Sequence, residues 1–117
     1  MDIKYINVSY MEEVCGGDNE LITEMINIFR QQVVEFSEEF NRLYNNQDYF
    51  NLGLLAHKAK SSIAIMGMEE LAMDLKELEL KASTGEDTEL YSKYLSEFEL
   101  QTTFALEELD WYLKNLE

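Results

Sequence analysis

Proline is absent from this chain, which also has one cysteine, one histidine and five glycines. Without proline nothing compels a helix to break, so punctuation falls to glycine and to Asn/Asp clusters. A lone cysteine, Cys15, cannot form an internal disulfide, so the fold does not lean on a covalent staple. In the context Met11-Glu12-Glu13-Val14-Cys15-Gly16-Gly17 it is expected to be a small buried residue at the end of a short helix. One histidine and one cysteine also leave too few ligands for a zinc site. Basic residues are scarce: nine Lys/Arg stand against 24 Asp/Glu, a net charge of −15. Holding a nucleic-acid backbone requires cations to neutralise phosphates, so DNA and RNA are excluded as partners, and an anionic membrane surface is disfavoured. The N-terminal dozen residues contain acids and no apolar run before a small-residue cleavage site, so no secretory signal is expected. The nearest thing to a membrane span has His57, Lys58 and Lys60 at its centre, which argues against one. Cytoplasmic is the default location, with no membrane partner.

What is present is a folding composition. Hydrophobic residues make up 46% and aromatics 12% of 117 residues, enough for a real core in a single domain over residues 1–117. Polar breaks occur at Gly16-Gly17-Asp18, with Asp18 a helix N-cap, at Asn45-Asn46-Gln47-Asp48, at Gly67, and at Ser83 to Asp87, with Thr88 a cap for the last helix. Between them apolar residues recur at three- and four-residue steps: Ile22, Met25, Phe29, Val33, Phe36, Phe40 and Leu43, then Leu71, Leu75, Leu78 and Ala82, then Tyr91 through Leu116. No useful stretch alternates with period two. The expected fold is all-α: an up-and-down antiparallel four-helix bundle with a short additional N-terminal helix. The methionines and aromatics at these positions are core filling.

The acids are unevenly spread. None occurs between Asp48 and Glu69, where average density would place about four. On a helix turning about 100° per residue, with His57 at zero, Leu52, Leu55, Ala59, Ser62, Ile63 and Met66 gather around the opposite pole. That pole is the core face, so His57 is predicted to point outwards. Around it fall Phe50, Leu54, Lys60, Ser61, Ala64 and Met68, an apolar and small-residue surface with a cation. Such a patch around a polar residue suggests docking.

The chemistry is reached by elimination. No Gly-rich phosphate loop is present, no nucleophile–base–orienter triad is visible, and no carboxylate pair stands out among so many. Histidine acting alone as a nucleophile remains: neutral imidazole can take a phosphoryl group as a phosphoramidate when another protein supplies metal and positioning. Lys60, one turn on, can offset the added negative charge, and the acid-free gap is expected to keep carboxylates from the incoming oxygens. Ser61 can hydrogen-bond the ring or a phosphoryl oxygen, while Ala64 and Gly67 keep the surface low. Lys58 contributes only through the general field.

The run Ala56-His57-Lys58-Ala59-Lys60-Ser61-Ser62-Ile63-Ala64-Ile65-Met66-Gly67-Met68 resembles the signature of histidine-containing phosphotransfer domains, which show His-x-x-Lys, small residues and then a glycine. Cys15-Gly16-Gly17-Asp18 looks like that family's entry, and Met68-Glu69-Glu70-Leu71 like its next helix start. The resemblance implies a four-helix bundle whose His57 accepts phosphate from a receiver-domain aspartyl phosphate and passes it to another receiver. It gives Lys60 the role of the lysine one turn on and Gly67 that of the glycine permitting close docking. Ser61 stands where members often have glycine, and Ala59 where many have Leu or Phe. The implied partners are receiver domains of response regulators or hybrid kinases, with no cofactor on this chain and Mg²⁺ on the receiver. The chain would be a monomeric phosphocarrier and not an enzyme, having no ATP-binding region. The rival expectation is an acidic helical adaptor that binds a partner through the Phe50/Leu54/Ala64/Met68 patch without phosphorylation.

Overall fold

Helix boundaries fall where the polar breaks predict them. The structure, a computed structural model, describes residues 1–116, and it is all-helical, 81% helix with no strand among the described residues. Helix α1 spans Val8–Val14, α2 Asn19–Asn45, α3 Tyr49–Ile65, α4 Glu69–Thr84 and α5 Tyr91–Lys114. Asp18 caps α2 by accepting from the Glu20 and Leu21 N–H groups, and Asp48 caps α3 by accepting from Asn51, each satisfying donors that a helix start leaves orphaned. Gly85 closes α4 in the left-handed conformation. One boundary differs. Thr88 does not cap the last helix but opens a single 3₁₀ turn, Thr88–Leu90, after a left-handed Asp87. That corner is held from below: the Tyr91 hydroxyl is shared between the carbonyls of Lys81 and Glu86, at 2.9 and 2.6 Å.

Apolar spacing determines how the helices meet. Helix α3 packs on α4, α2 on both α3 and α5, α4 on α5, and α1 on α3. The 46 Å long axis is close to the length of α2 alone, about 40 Å at 1.5 Å per residue. Phe29, Phe40, Phe98, Tyr91, Leu52 and Ile63 fill the centre. Phe40 and Phe98 meet edge to face at 5.3 Å, a favoured aromatic geometry. Cys15 is buried, as expected, and its thiol lies 3.7 Å from the Met25 sulfur. The α5 stripe rotates at its end: Tyr112 is buried, while Leu113 and Leu116 are only half-buried. The Tyr112 hydroxyl donates to Glu12 and ties α1 to α5; burial, then this bond, push its phenol up to about 12.

The segment before α1 is fastened at both sides of the molecule's end. Backbone N–H groups of Lys4, Tyr5 and Ile6 donate to the Glu108 carboxylate of α5 at 2.7, 2.9 and 3.0 Å. The Asn7 N–H donates to the Met66 carbonyl at 3.0 Å. This docking explains Gly67. Its φ is +77°, and a side chain there would collide with the Cβ of Asn7. Gly67 therefore faces the chain's own N-terminal segment. Gly67→Ala is expected to lower stability by about 2–4 kcal/mol, from left-handed strain plus overpacking. Chemical denaturation checks this, and a loss below about 0.5 kcal/mol would contradict the close approach.

Candidate functional site

Helix α3 is apolar or small around most of its circumference, and that sets the site. Its buried residues are Leu52, Gly53, Ala56, Ala59 and Ile63. Gly53 and Ala56 lie about −40° and −100° from His57, so the buried arc extends further round the helix than the spacing of large residues suggests. Helix α4 occupies that extra arc. A Cβ on Gly53 would sit 3.1 Å from the Glu79 carbonyl oxygen, 3.3 Å from the Ala82 Cβ and 3.3 Å from the Ser83 nitrogen. Two helices this close bring the side chain of Glu79 across to the outer face of α3.

His57 points outwards, its side chain 63% exposed. Its Nδ1 is 2.9 Å from Glu79 Oε2. The other carboxylate oxygen, Oε1, accepts from Lys60 Nζ at 3.3 Å, and both of these side chains are 26% exposed. The carboxylate accepts, so in the neutral ring Nδ1 carries the hydrogen and the lone pair lies on Nε2, the nitrogen away from Glu79. Glu79 thus fixes the tautomer and the ring plane, while Lys60 balances its charge.

The other expected residues divide. Phe50 and Leu54 are 61% and 55% exposed and stand on the His57 side of α3, two turns and one turn earlier respectively. Ser61 and Ala64 are exposed one and two turns later. Met68 is not part of this face: it is 4% exposed, because α3 ends at Ile65 and Met68 already serves as the N-cap of α4. Gly67 is at the same turn. A second correction concerns charge. The acid-free gap in sequence is not acid-free in space, since Glu79, 22 residues away, supplies a carboxylate directly to the ring. It is this residue, not Ser61, that holds the imidazole. Lys58 is exposed on the flank of α3 nearest α2, where it shares a hollow with Glu35, Glu38 and Glu39.

Further along α3, an apolar hollow of about 370 Å³ opens between α1, α2 and α3, with Cys15, Met25, Ile28, Ser62 and Ile65 in its wall. No cluster of three or more His, Cys, Asp or Glu side chains among the described residues is placed to hold a metal ion. No helix among them is long and apolar enough to cross a membrane. Compared with family models, with curated proteins and with solved structures, the chain matches none.

Proposed function

We propose that this chain is a histidine phosphocarrier of a two-component phosphorelay, accepting a phosphoryl group on His57 from a receiver-domain aspartyl phosphate and handing it to another receiver. The observation that carries the reading is the His57–Glu79–Lys60 arrangement on a face of α3 where Phe50, Leu54, Ser61 and Ala64 are also exposed. The lone pair of Nε2 attacks phosphorus, the bond to the aspartyl oxygen breaks, and the aspartate leaves as a carboxylate. The ring becomes an N-phosphoryl imidazolium whose Nδ1–H stays donated to Glu79. On return the imidazole leaves neutral, with the same hydrogen on Nδ1, so no proton has to be delivered in either direction. Lys60 stands one turn from the phosphoryl oxygens and counters their charge. The receiver brings Mg²⁺.

Helix packing supports the architecture this needs. Each long helix touches its neighbours in chain order, α2 also touches α5, and the connections are three to six residues long. Such short connections favour antiparallel neighbours, hence an up-and-down four-helix bundle with α1 as an extra helix. Phe50, Leu54 and Ala64 form the docking rim. The carrier works in the cytoplasm as a monomer with its functional face open.

The test is to incubate the protein with ³²P-labelled receiver domains and follow transfer. The expected label on this chain is acid-labile and alkali-stable, as a phosphoramidate is. Label of any other stability, or none, overturns the relay; binding without label points to the phosphorylation-independent adaptor. Lys60→Ala is expected to slow transfer about tenfold, the worth of one charge-assisted hydrogen bond, with the fold intact. An unchanged rate and an unchanged phosphoryl lifetime would remove Lys60 from the site.

A further inference from the structure

We infer that Gly53, which cannot touch substrate, is the positioning residue that sets the reactivity of His57, by letting α4 approach closely enough for Glu79 to reach the ring. This inference rests on the phosphoacceptor reading and deepens it. Three observations carry it. Gly53 lies one helical turn before His57, on the side of α3 that α4 covers. The atom closest to the missing side chain is the backbone oxygen of Glu79 itself, at 3.1 Å, so the contact acts on the very residue that binds Nδ1. The flanking contacts, Ala82 Cβ and Ser83 N at 3.3 Å, belong to the same helix turn, so no flexible side chain can yield instead. Backbone atoms give way only by moving α4. The φ of Gly53 is ordinary for a helix, and alanine is the better helix former. Glycine here thus serves closeness and not conformation.

A methyl group at this position would move α4 outwards by a few tenths of an ångström near Glu79. The Nδ1 to Oε2 separation of 2.9 Å then lengthens, and the ring loses its enforced tautomer. The measurement is a two-bond ¹H–¹⁵N correlation spectrum of the His57 ring in the intact protein at neutral pH, with phosphoryl uptake from a labelled receiver alongside. In Gly53→Ala the ring signals are expected to move towards those of Glu79→Ala, and uptake to fall about tenfold, as when an orienting partner is lost. Adding Gly53→Ala to Glu79→Ala is expected to change the ring no further. Ala82→Val thickens the same contact from the α4 side and is expected to act in the same direction; it carries the test if Gly53→Ala does not fold. Ring signals identical to wild type, with only the melting temperature altered, overturn the inference and make Gly53 a packing residue alone. Expected ring shifts in a protein that takes up no phosphate would instead overturn the carrier reading and leave the control of the ring by Gly53 in place.

Discussion

Replacing His57 with glutamine is expected to reduce phosphoryl uptake to background while changing stability by less than about 0.5 kcal/mol. The two halves of that result have separate physical causes. Uptake is lost because an amide nitrogen has no available lone pair, and no second histidine exists in the chain to take over. Stability is kept because the side chain is 63% exposed and its one polar partner, Glu79, retains Lys60. Glutamine also keeps similar length and can still donate a hydrogen to Glu79, so the local surface survives. Labelled transfer from a receiver, read beside chemical denaturation, distinguishes the outcomes. Uptake by the variant equal to wild type would place the acceptor elsewhere and end the assignment of His57. A large loss of stability would show that the ring supports the fold, against its exposure.

The second large effect concerns a carboxylate that takes no part in that chemistry. Glu108 is 4% exposed on α5 and accepts three backbone hydrogens from residues 4–6. Removing it in Glu108→Ala leaves those donors without a partner. Water can re-solvate Lys4 and Tyr5, which are only partly buried, but the bond to Ile6 is buried. The expected cost is about 2–5 kcal/mol, counting one fully stranded donor, two partly rescued ones and the loss of side-chain packing. Against a typical total of roughly 5–15 kcal/mol that is a large fraction. Native-state hydrogen exchange should localise it, with the amides of residues 4–6 losing protection before the rest of the chain. A loss below about 1 kcal/mol with those amides still protected would mean the Glu108 clasp contributes little.

Comparing the two sites shows where sequence patterns inform and where they stop. The breaks at Gly16-Gly17-Asp18, Asn45 to Asp48 and Gly67 were legible because capping and chain reversal need particular residue types at particular places. The outward direction of His57 followed from the spacing of Leu52, Ala59 and Ile63 on the opposite face. Gly53 and Ala56 were not legible as buried, since small residues carry almost no hydropathy signal, yet small size is what admits α4. Glu79 was hidden for a related reason: an acid on an amphipathic helix looks like any solvated acid until the neighbouring helix is placed. Met68 leaves the face because α3 ends at Ile65, beyond which helical-wheel angles lose meaning. Glu108 did leave a trace. It falls three residues after Ala105 and four before Tyr112, inside a buried arc, and a charge there demands a partner.

If the chain is the proposed carrier, the pairing of Glu79 with Lys60 bears on how a partner would distinguish a loaded site from an empty one. With the ring in its neutral, nucleophilic form the site carries no net charge, because one carboxylate and one ammonium cancel. Loading adds up to two negative charges at that spot. Against the chain's −15 the change is small from afar, and at physiological ionic strength screening confines it to about 8 Å. The long-range field that a receiver would meet is therefore almost the same for both forms. On that reading discrimination would come after contact, within the footprint of the docked face, and would show itself in how long each complex lasts more than in how quickly it forms.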